Sequence, residues 1–228
     1  MNLEAFTGRA QAYTQARPGY PNEAIEYIRT LVPPEAVFAD IGAGTGIFTT
    51  LLARHGYKIF AVEPNADMRE QLSFAATSFP NIKIIDGTAE ATTLADNCVD
   101  AITNAQALNR FDIDMFRAEC LRIGKPNPVV ISIYNDDEIK GDYAGSARYV
   151  KSTRAFYRNP NVRQFPNPIY FTRDKWLLYF LSMEGVPQES DPGYEAYIAQ
   201  LNETFDRDNV SGVLRLNKMT VVYSERII

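Results

Sequence analysis

Apolar positions along this chain follow two periods. Short runs that are apolar at nearly every position alternate with longer stretches in which apolar residues fall three and four apart. The first pattern marks strands buried on both faces, the second helices with one covered side. Pro21 stands where a helix start tolerates proline, and Ala24, Ile25, Ile28 and Leu31 follow at helical spacing until Pro33 and Pro34 stop the element. The pattern then predicts a strand over 37–41, a helix over 45–55 ended by Gly56, a strand over 58–62, and a helix over 65–76 capped by Asn65. Further strands are expected at 82–85, 99–103 and 129–134, with a helix at 112–123. Such alternation predicts an α/β fold, a mostly parallel sheet with helices on both faces.

After Asn135 the rhythm breaks. Residues 135–210 are rich in aromatics, prolines and charges, with helical stretches near 144–158, 173–184 and 193–206. Two strand-like runs, 212–216 and 219–224, read as a hairpin finishing the sheet. The chain is therefore expected to be one domain over 1–228. Helices over 1–32 would lie at the entrance, a cofactor-binding core would span 33–134, a helical lid 135–210 would cover the mouth, and strands over 211–228 would complete the sheet.

The strongest local signal is Asp40-Ile41-Gly42-Ala43-Gly44-Thr45-Gly46, between the first strand and its helix. Glycines at 42 and 44 permit a tight turn and close approach of a ligand to the backbone, and the helix start offers free N–H groups. A dinucleotide fingerprint would need glycine at Ile47, and a phosphate-binding P-loop would need Gly-Lys-Ser/Thr; both patterns fail. Glu63 closes the second strand, where an acidic side chain can accept both hydroxyls of a ribose. Asp40 would be a poor neighbour for pyrophosphate but a good one for an ammonium group or a water network. A ligand with a ribose, a cationic amino-acid tail and no phosphate fits this set, and S-adenosylmethionine is one.

At these residues the chain resembles the class I S-adenosylmethionine-dependent methyltransferases, in a small-molecule branch. The resemblance rests on residues 39–46, on Val62-Glu63-Pro64-Asn65-Ala66-Asp67-Met68, on Gly87-Thr88-Ala89-Glu90, on 96–100, on Asn104-Ala105-Gln106-Ala107 and on Phe111-Asp112. Phe6-Thr7-Gly8-Arg9-Ala10, Tyr13 and Arg17-Pro18-Gly19-Tyr20-Pro21 also look like that branch. The resemblance implies a Rossmann-like seven-stranded sheet and S-adenosylmethionine as cofactor. Gly42, Gly44 and Gly46 would pass close to its methionine part, with Asp40 in the same loop. Glu63 would hold the ribose, Pro64 and Met68 would flank the adenine, and Thr88, Ala89 and Glu90 would border it. Asn104 and Gln106 would line the floor, while Tyr13, Arg17 and Tyr20 would close over the methyl end. Two departures stand out. Thr88 occupies a position often acidic in relatives, and Asn109-Arg110-Phe111 replaces a frequent His-Trp-Phe.

Composition narrows the chemistry further. The 228 residues are 46% hydrophobic and 22% charged, proportions of a globular chain. A net charge of −5 argues against a protein that coats nucleic acid or anionic lipid. No apolar run approaches the ~18–20 residues of a membrane helix, and no signal peptide is visible, so a cytoplasmic protein is expected. Cys98 and Cys120 have no metal or disulfide spacing. The single histidine, His55, rules out multi-histidine metal sites. His55 ends the helix that starts at the glycine loop, so at about 1.5 Å per residue it would lie about 15 Å from the cofactor end, too far for catalysis. A general base is optional; if one is used, the candidates are Tyr13, Tyr20 or a carboxylate, and no metal is called for. Arg148, Lys151, Arg154 and Arg158 share one helical face. The plain reading is a solvated face; the sharper one is a cationic patch for an anionic small acceptor. The function expected is methyl transfer to a small molecule. The alternatives are an inactive cofactor binder or interaction protein of the same fold and, further off, a nucleotide-dependent oxidoreductase.

Overall fold

Four of the five residues of strand β1 (Val37–Ile41) are buried, and a strand covered on both faces must sit inside a sheet with helices above and below. The computed structural model describes residues 17–136, 147–183 and 185–228, together with Ala10 and Thr14. In it β1 lies beside β2 (Lys58–Val62), β3 (Ile82–Ile85), β4 (Val99–Ala105), β5 (Gly124–Asp136), β6 (Asn161–Pro166) and β9 (Met219–Arg226). The seven strands run in the order β3-β2-β1-β4-β5-β9-β6. Strands β1 to β5 pair in parallel, and β9 is antiparallel to both β5 and β6. Because the order reverses between β1 and β4, their carboxyl ends diverge and leave a crevice, the usual ligand position in such sheets.

Alternation along each strand sends side chains into two cores. On one face Phe38, Ile59 and Ile131 meet Ile25 and Ile28 of α1 (Asn22–Thr30) and Phe48 and Leu52 of α2 (Ile47–Ala53). Leu72 of α3 (Ala66–Ala76) packs on Ala43 and Ala61. On the other face Ile41, Ile102 and Val130 meet Phe116 and Cys120 of α4 (Ile113–Ile123) and Phe156 of α5 (Ala147–Phe156). Asn65 caps α3 by accepting from Met68 N at 3.0 Å, and Asp112 caps α4 by accepting from Met115 N at 3.1 Å.

The segment after residue 135 departs from the expected lid. Helix α5 belongs to the core layer, since Phe156 is 1% exposed and its ring lies 5.3 Å from that of Phe116. Residues 161–166 form the edge strand β6. Their sequence, Asn-Val-Arg-Gln-Phe-Pro, exposes too little apolar character to announce a strand, because an edge is half solvated. The run at 212–216 does not join the sheet: β8 (Leu214–Leu216) pairs with β7 (Ile169–Phe171) in a separate two-stranded sheet. With α6 (Arg173–Leu181) and α7 (Tyr194–Asp208), these strands make a unit inserted between β6 and β9. It has its own small core of Phe171, Trp176, Leu201, Phe205 and Leu214. Trp176 Nε1 donates to Leu201 O at 2.8 Å inside it.

Asp40 is fully buried and works as a structural tie. Its Oδ2 accepts from Thr49 Oγ1 at 2.6 Å and its Oδ1 from Thr103 Oγ1 at 2.9 Å, which joins β1 to α2 and to β4. Burial pushes its pKa up from 3.8 to about 6, the two hydroxyls restrain the rise, and the charge of Glu63 adds to it. Keeping this carboxylate ionised at neutral pH costs the fold on the order of 3 kcal/mol. That cost disappears as pH falls, because the folded state then takes up a proton that the unfolded chain does not yet bind. The stability difference between Asp40→Asn and the wild type should therefore change steadily between about pH 6 and about pH 4 and be flat above. Urea denaturation of both proteins across this range checks it; a difference independent of pH would mean that Asp40 does not titrate in that window.

Candidate cofactor and acceptor site

The carboxyl ends of β1, β2 and β4 open into a cavity of about 340 Å³. The loop after β1 forms its floor on one side. Gly42, Gly44 and Gly46 all adopt left-handed backbone conformations, with φ of 68°, 57° and 86°. A Cβ on Gly42 would lie 2.9 Å from Ala107 Cβ, whereas one on Gly44 would meet nothing within 4 Å. Gly44 is thus required by its backbone angle and borders open space, as a loop that cradles a ligand should. Gly42 N and Ala43 N donate to Val62 O at 2.9 and 3.1 Å, fixing the loop over the end of β2.

Glu63 stands at that end, 7% exposed and on the cavity wall. Its Oε2 accepts from Gly44 N and its Oε1 from Asn65 N, each at 2.9 Å. Burial raises its pKa, and the two backbone donors together with Arg69 and Arg110 oppose the rise. Each carboxylate oxygen has two acceptor positions, so one on each remains for a ligand. Two oxygens held side by side with one free acceptor position apiece match the vicinal hydroxyls of a ribose. Pro64, Met68 and Ala89 continue the wall as an apolar slot of the kind a purine fills. This donor and acceptor set fits S-adenosylmethionine.

Among the expected site residues, Arg17, Gly42, Gly44, Glu63, Pro64, Met68, Ala89 and Gln106 line the cavity, as does Tyr20. Tyr13 lies outside the described residues. Five others do not face the cavity. Asp40 is engaged beneath the loop by its two threonines. Gly46 turns toward α3, where a Cβ would meet Leu72 Cδ1 at 2.5 Å. Thr88 Oγ1 accepts from Ala91 N at 3.2 Å within its own turn, and Glu90 Oε1 accepts from Asp112 N at 3.0 Å before α4. Asn104 pairs in register with Ser132 on β5, is fully buried and is absent from the cavity wall. Gln106, two positions along and at the strand's end, reaches the cavity with a φ of 60°.

The other half of the cavity was not legible in advance. Asn135, Asp136, Tyr149, Tyr179, Met183 and Lys218 line it, with Phe48 and Arg110. Asn135 and Asp136 directly follow the apolar run of β5 at the same sheet edge as Glu63, and that position was the available signal. Tyr179, Met183 and Lys218 come from the inserted unit and its return, where no motif marks them. Lys151 and Arg154 on α5, and Arg158 two residues past its end, are exposed and absent from the cavity wall, so the solvated face is what the structure shows for them. The side chain of Arg148 lies outside the described residues. The cations on the wall are instead Arg17, Arg110 and Lys218. His55 is exposed, beyond the end of α2.

A family model described as a methyltransferase domain matches residues 39–132. An uncharacterized methyltransferase of Mycobacterium tuberculosis is 34% identical over 131 residues, covering 58% of this chain and 52% of its own length. An uncharacterized methyltransferase-like protein of Schizosaccharomyces pombe is 31% identical over 144 residues, covering 61% and 55%. The chain spans about half the length of the curated relatives it matches. Among solved structures, an Anaeromyxobacter dehalogenans protein provisionally described as a type II methyltransferase shares the fold with a TM-score of 0.69. That match covers 93% of this chain and 98% of the other at 19% identity. Residues 39–132 hold the glycine loop, the acidic end of β2 and the strand order that creates the crevice between them, and over that segment the chain matches the methyltransferase-domain family.

Proposed function

We propose that the protein transfers a methyl group from S-adenosylmethionine to a small-molecule acceptor. The observation that carries this reading is the buried Glu63 carboxylate, held by Gly44 N and Asn65 N with one acceptor position left on each oxygen. Glu63 would hold the ribose, the Gly42–Gly44 turn would pass beside the methionine part, and Pro64, Met68 and Ala89 would enclose the adenine. The bound cofactor supplies a methyl group already activated by its sulfonium leaving group. What the chain contributes is placement and the exclusion of water, which together can supply ~7–11 kcal/mol. Arg17, Tyr20, Phe48, Tyr149 and Tyr179 wall the far half of the cavity for this purpose.

Over the whole cavity lining Arg17, Arg110 and Lys218 outnumber Glu63 and Asp136, which favours an acceptor bearing an anionic group. Tyr20 and Asp136 are the groups placed to take a proton if the acceptor releases one. The chain's net charge of −5 argues against a nucleic-acid acceptor. Among the described residues no helix is long and apolar enough to cross a membrane; work in the cytoplasm fits the free thiols of Cys98 and Cys120. Calorimetric titration with S-adenosylmethionine, S-adenosylhomocysteine and NAD tests the cofactor assignment, and labelled methyl transfer into metabolite pools tests the acceptor.

Hydrogen bonds to a charged group contribute about 1.5–3 kcal/mol each. Glu63→Ala is therefore expected to weaken S-adenosylhomocysteine binding by tens to hundreds of fold, with Glu63→Gln between it and the wild type. Equal affinities in all three proteins would remove the ribose assignment. His55→Asn is expected to leave both cofactor affinity and transfer rate within about twofold, since the ring is exposed and away from the cavity. An inactive but folded variant would contradict that placement.

A further inference from the structure

Tyr20 and Arg17 belong to a short strap, residues 17–20, that has no regular secondary structure and yet forms part of the cavity wall. Its backbone is gripped at one point. Gly19 O accepts from Asn135 Nδ2 and from Asn167 Nδ2, both at 3.0 Å. Behind it, Asn167 Nδ2 also lies 3.0 Å from Asn135 Oδ1 and 3.1 Å from Thr220 Oγ1, and Thr220 Oγ1 donates to Asn135 Oδ1 at 2.6 Å. Asn135 follows the apolar run of β5 on the cavity wall, and Thr220 is the second residue of β9. Asn167 sits where the chain leaves β6 for the inserted unit, and its backbone N donates to Lys218 O at 2.8 Å, where the chain returns. The strap grips the unit a second time: the Arg17 guanidinium lies 5.3 Å from the centre of the Tyr179 ring and Nη2 is 3.5 Å from Ser182 O.

We propose that Asn167 is a positioning residue for the acceptor half of the cavity. It touches neither the cavity nor a ligand, and it acts through the Gly19 carbonyl. That bond sets where Arg17 and Tyr20 stand, and it ties their position to the root of the inserted unit that supplies Tyr179 and Met183. The two walls of the acceptor half are thus registered to each other through Gly19 O by Asn167 together with Asn135. The other side-chain donor to Gly19 O, Asn135 Nδ2, belongs to an amide that Asn167 and Thr220 themselves hold through its Oδ1, so loss of the Asn167 donor should loosen both grips on the strap. The inference rests on the methyltransferase reading only for what the cavity holds; the coupling itself can be read without any ligand.

The test uses Asn167→Asp, which keeps the side chain's shape, removes its N–H donors and sets a carboxylate against Gly19 O, while the backbone bond to Lys218 O remains. Tyr20 and Phe48 rings lie 5.4 Å apart at 81° across the cavity wall, and Phe111 and Phe116 rings lie 4.8 Å apart on the other face of the sheet. Both contacts are visible as ring-to-ring NMR cross-peaks in the unliganded protein. The expected result is that the Tyr20–Phe48 contact weakens strongly in the variant while the Phe111–Phe116 contact is unchanged. S-adenosylhomocysteine should then dissociate about tenfold faster, with an unaltered association rate. Asn167→Gln, which restores an amide donor, should recover part of the Tyr20–Phe48 contact. Retention of that contact in the Asp variant would overturn the proposal, and so would joint loss of both contacts, since Asn167 would then hold the fold and not the strap. If the wild type fails to bind S-adenosylhomocysteine, the cofactor reading fails, and the NMR comparison still decides the role of Asn167.

Discussion

A buried carboxylate that accepts from two backbone donors organises the cofactor half of this protein. Glu63 binds Gly44 N on one side and Asn65 N on the other, so the turn after β1 and the start of α3 are both referred to one side chain. Two charge-assisted bonds inside a mostly apolar wall are stronger than neutral ones and more costly to lose. Arg69 completes the arrangement by donating to the carbonyls of Glu63 and Pro64 at 2.9 and 2.6 Å, which satisfies the backbone where β2 leaves the sheet. The glycine turn is therefore held in shape by the same group that is aimed at the ligand. Binding need not first assemble the loop, and a preorganised site of this kind loses less entropy when it is filled.

The two halves of the cavity are made by different physics. The cofactor half grows out of parallel strands whose register is locked on both faces by Phe38, Ile102, Phe48 and Phe116, and it inherits their rigidity. The acceptor half is assembled from pieces without a common core: the strap at 17–20, the end of β5, one residue of α5 and the inserted unit. Polar contacts between side chains and single carbonyls hold those pieces together, and such contacts contribute about 0.5–1.5 kcal/mol each. Firm packing is thus concentrated around Glu63 and the glycine turn, and weaker fastening around the other half of the cavity.

This division also explains what could be read from the sequence. Strands over 37–41, 58–62 and 82–85 match the structure because buried parallel strands are apolar without interruption. The place of Glu63, Gly42 and Gly44 on the cavity wall was legible because backbone angle and strand-end position leave few residue types acceptable there. Asp40 misled because loop membership says nothing about direction: along β1 it alternates with Ile41, and its side chain goes down to Thr49 and Thr103. Asn104 failed for the same reason of alternation on β4. Strand β6 carries no clear period because an edge needs only Val162 toward one core and Phe165 toward the other. Tyr179, Met183 and Lys218 were out of reach because their place depends on how the inserted unit docks, which no local period encodes. The basic face on α5 was a true periodic signal, but it marks the side of the helix turned from Phe156 toward solvent.

The inserted unit leaves the sheet and rejoins it at neighbouring points, since Asn167 N and Lys218 O are hydrogen bonded. Its apolar residues are satisfied among themselves, with Trp176 and Leu201 at the centre. A segment with adjacent ends and its own core is an almost free graft, because exchanging it alters neither the register of β6 on β9 nor much of the loop-closure entropy. Inheritance can therefore act on the two halves separately. The glycine turn and Glu63 stay fixed by the sheet, while a different inserted unit could change the residues that line the other half of the cavity without refolding the core.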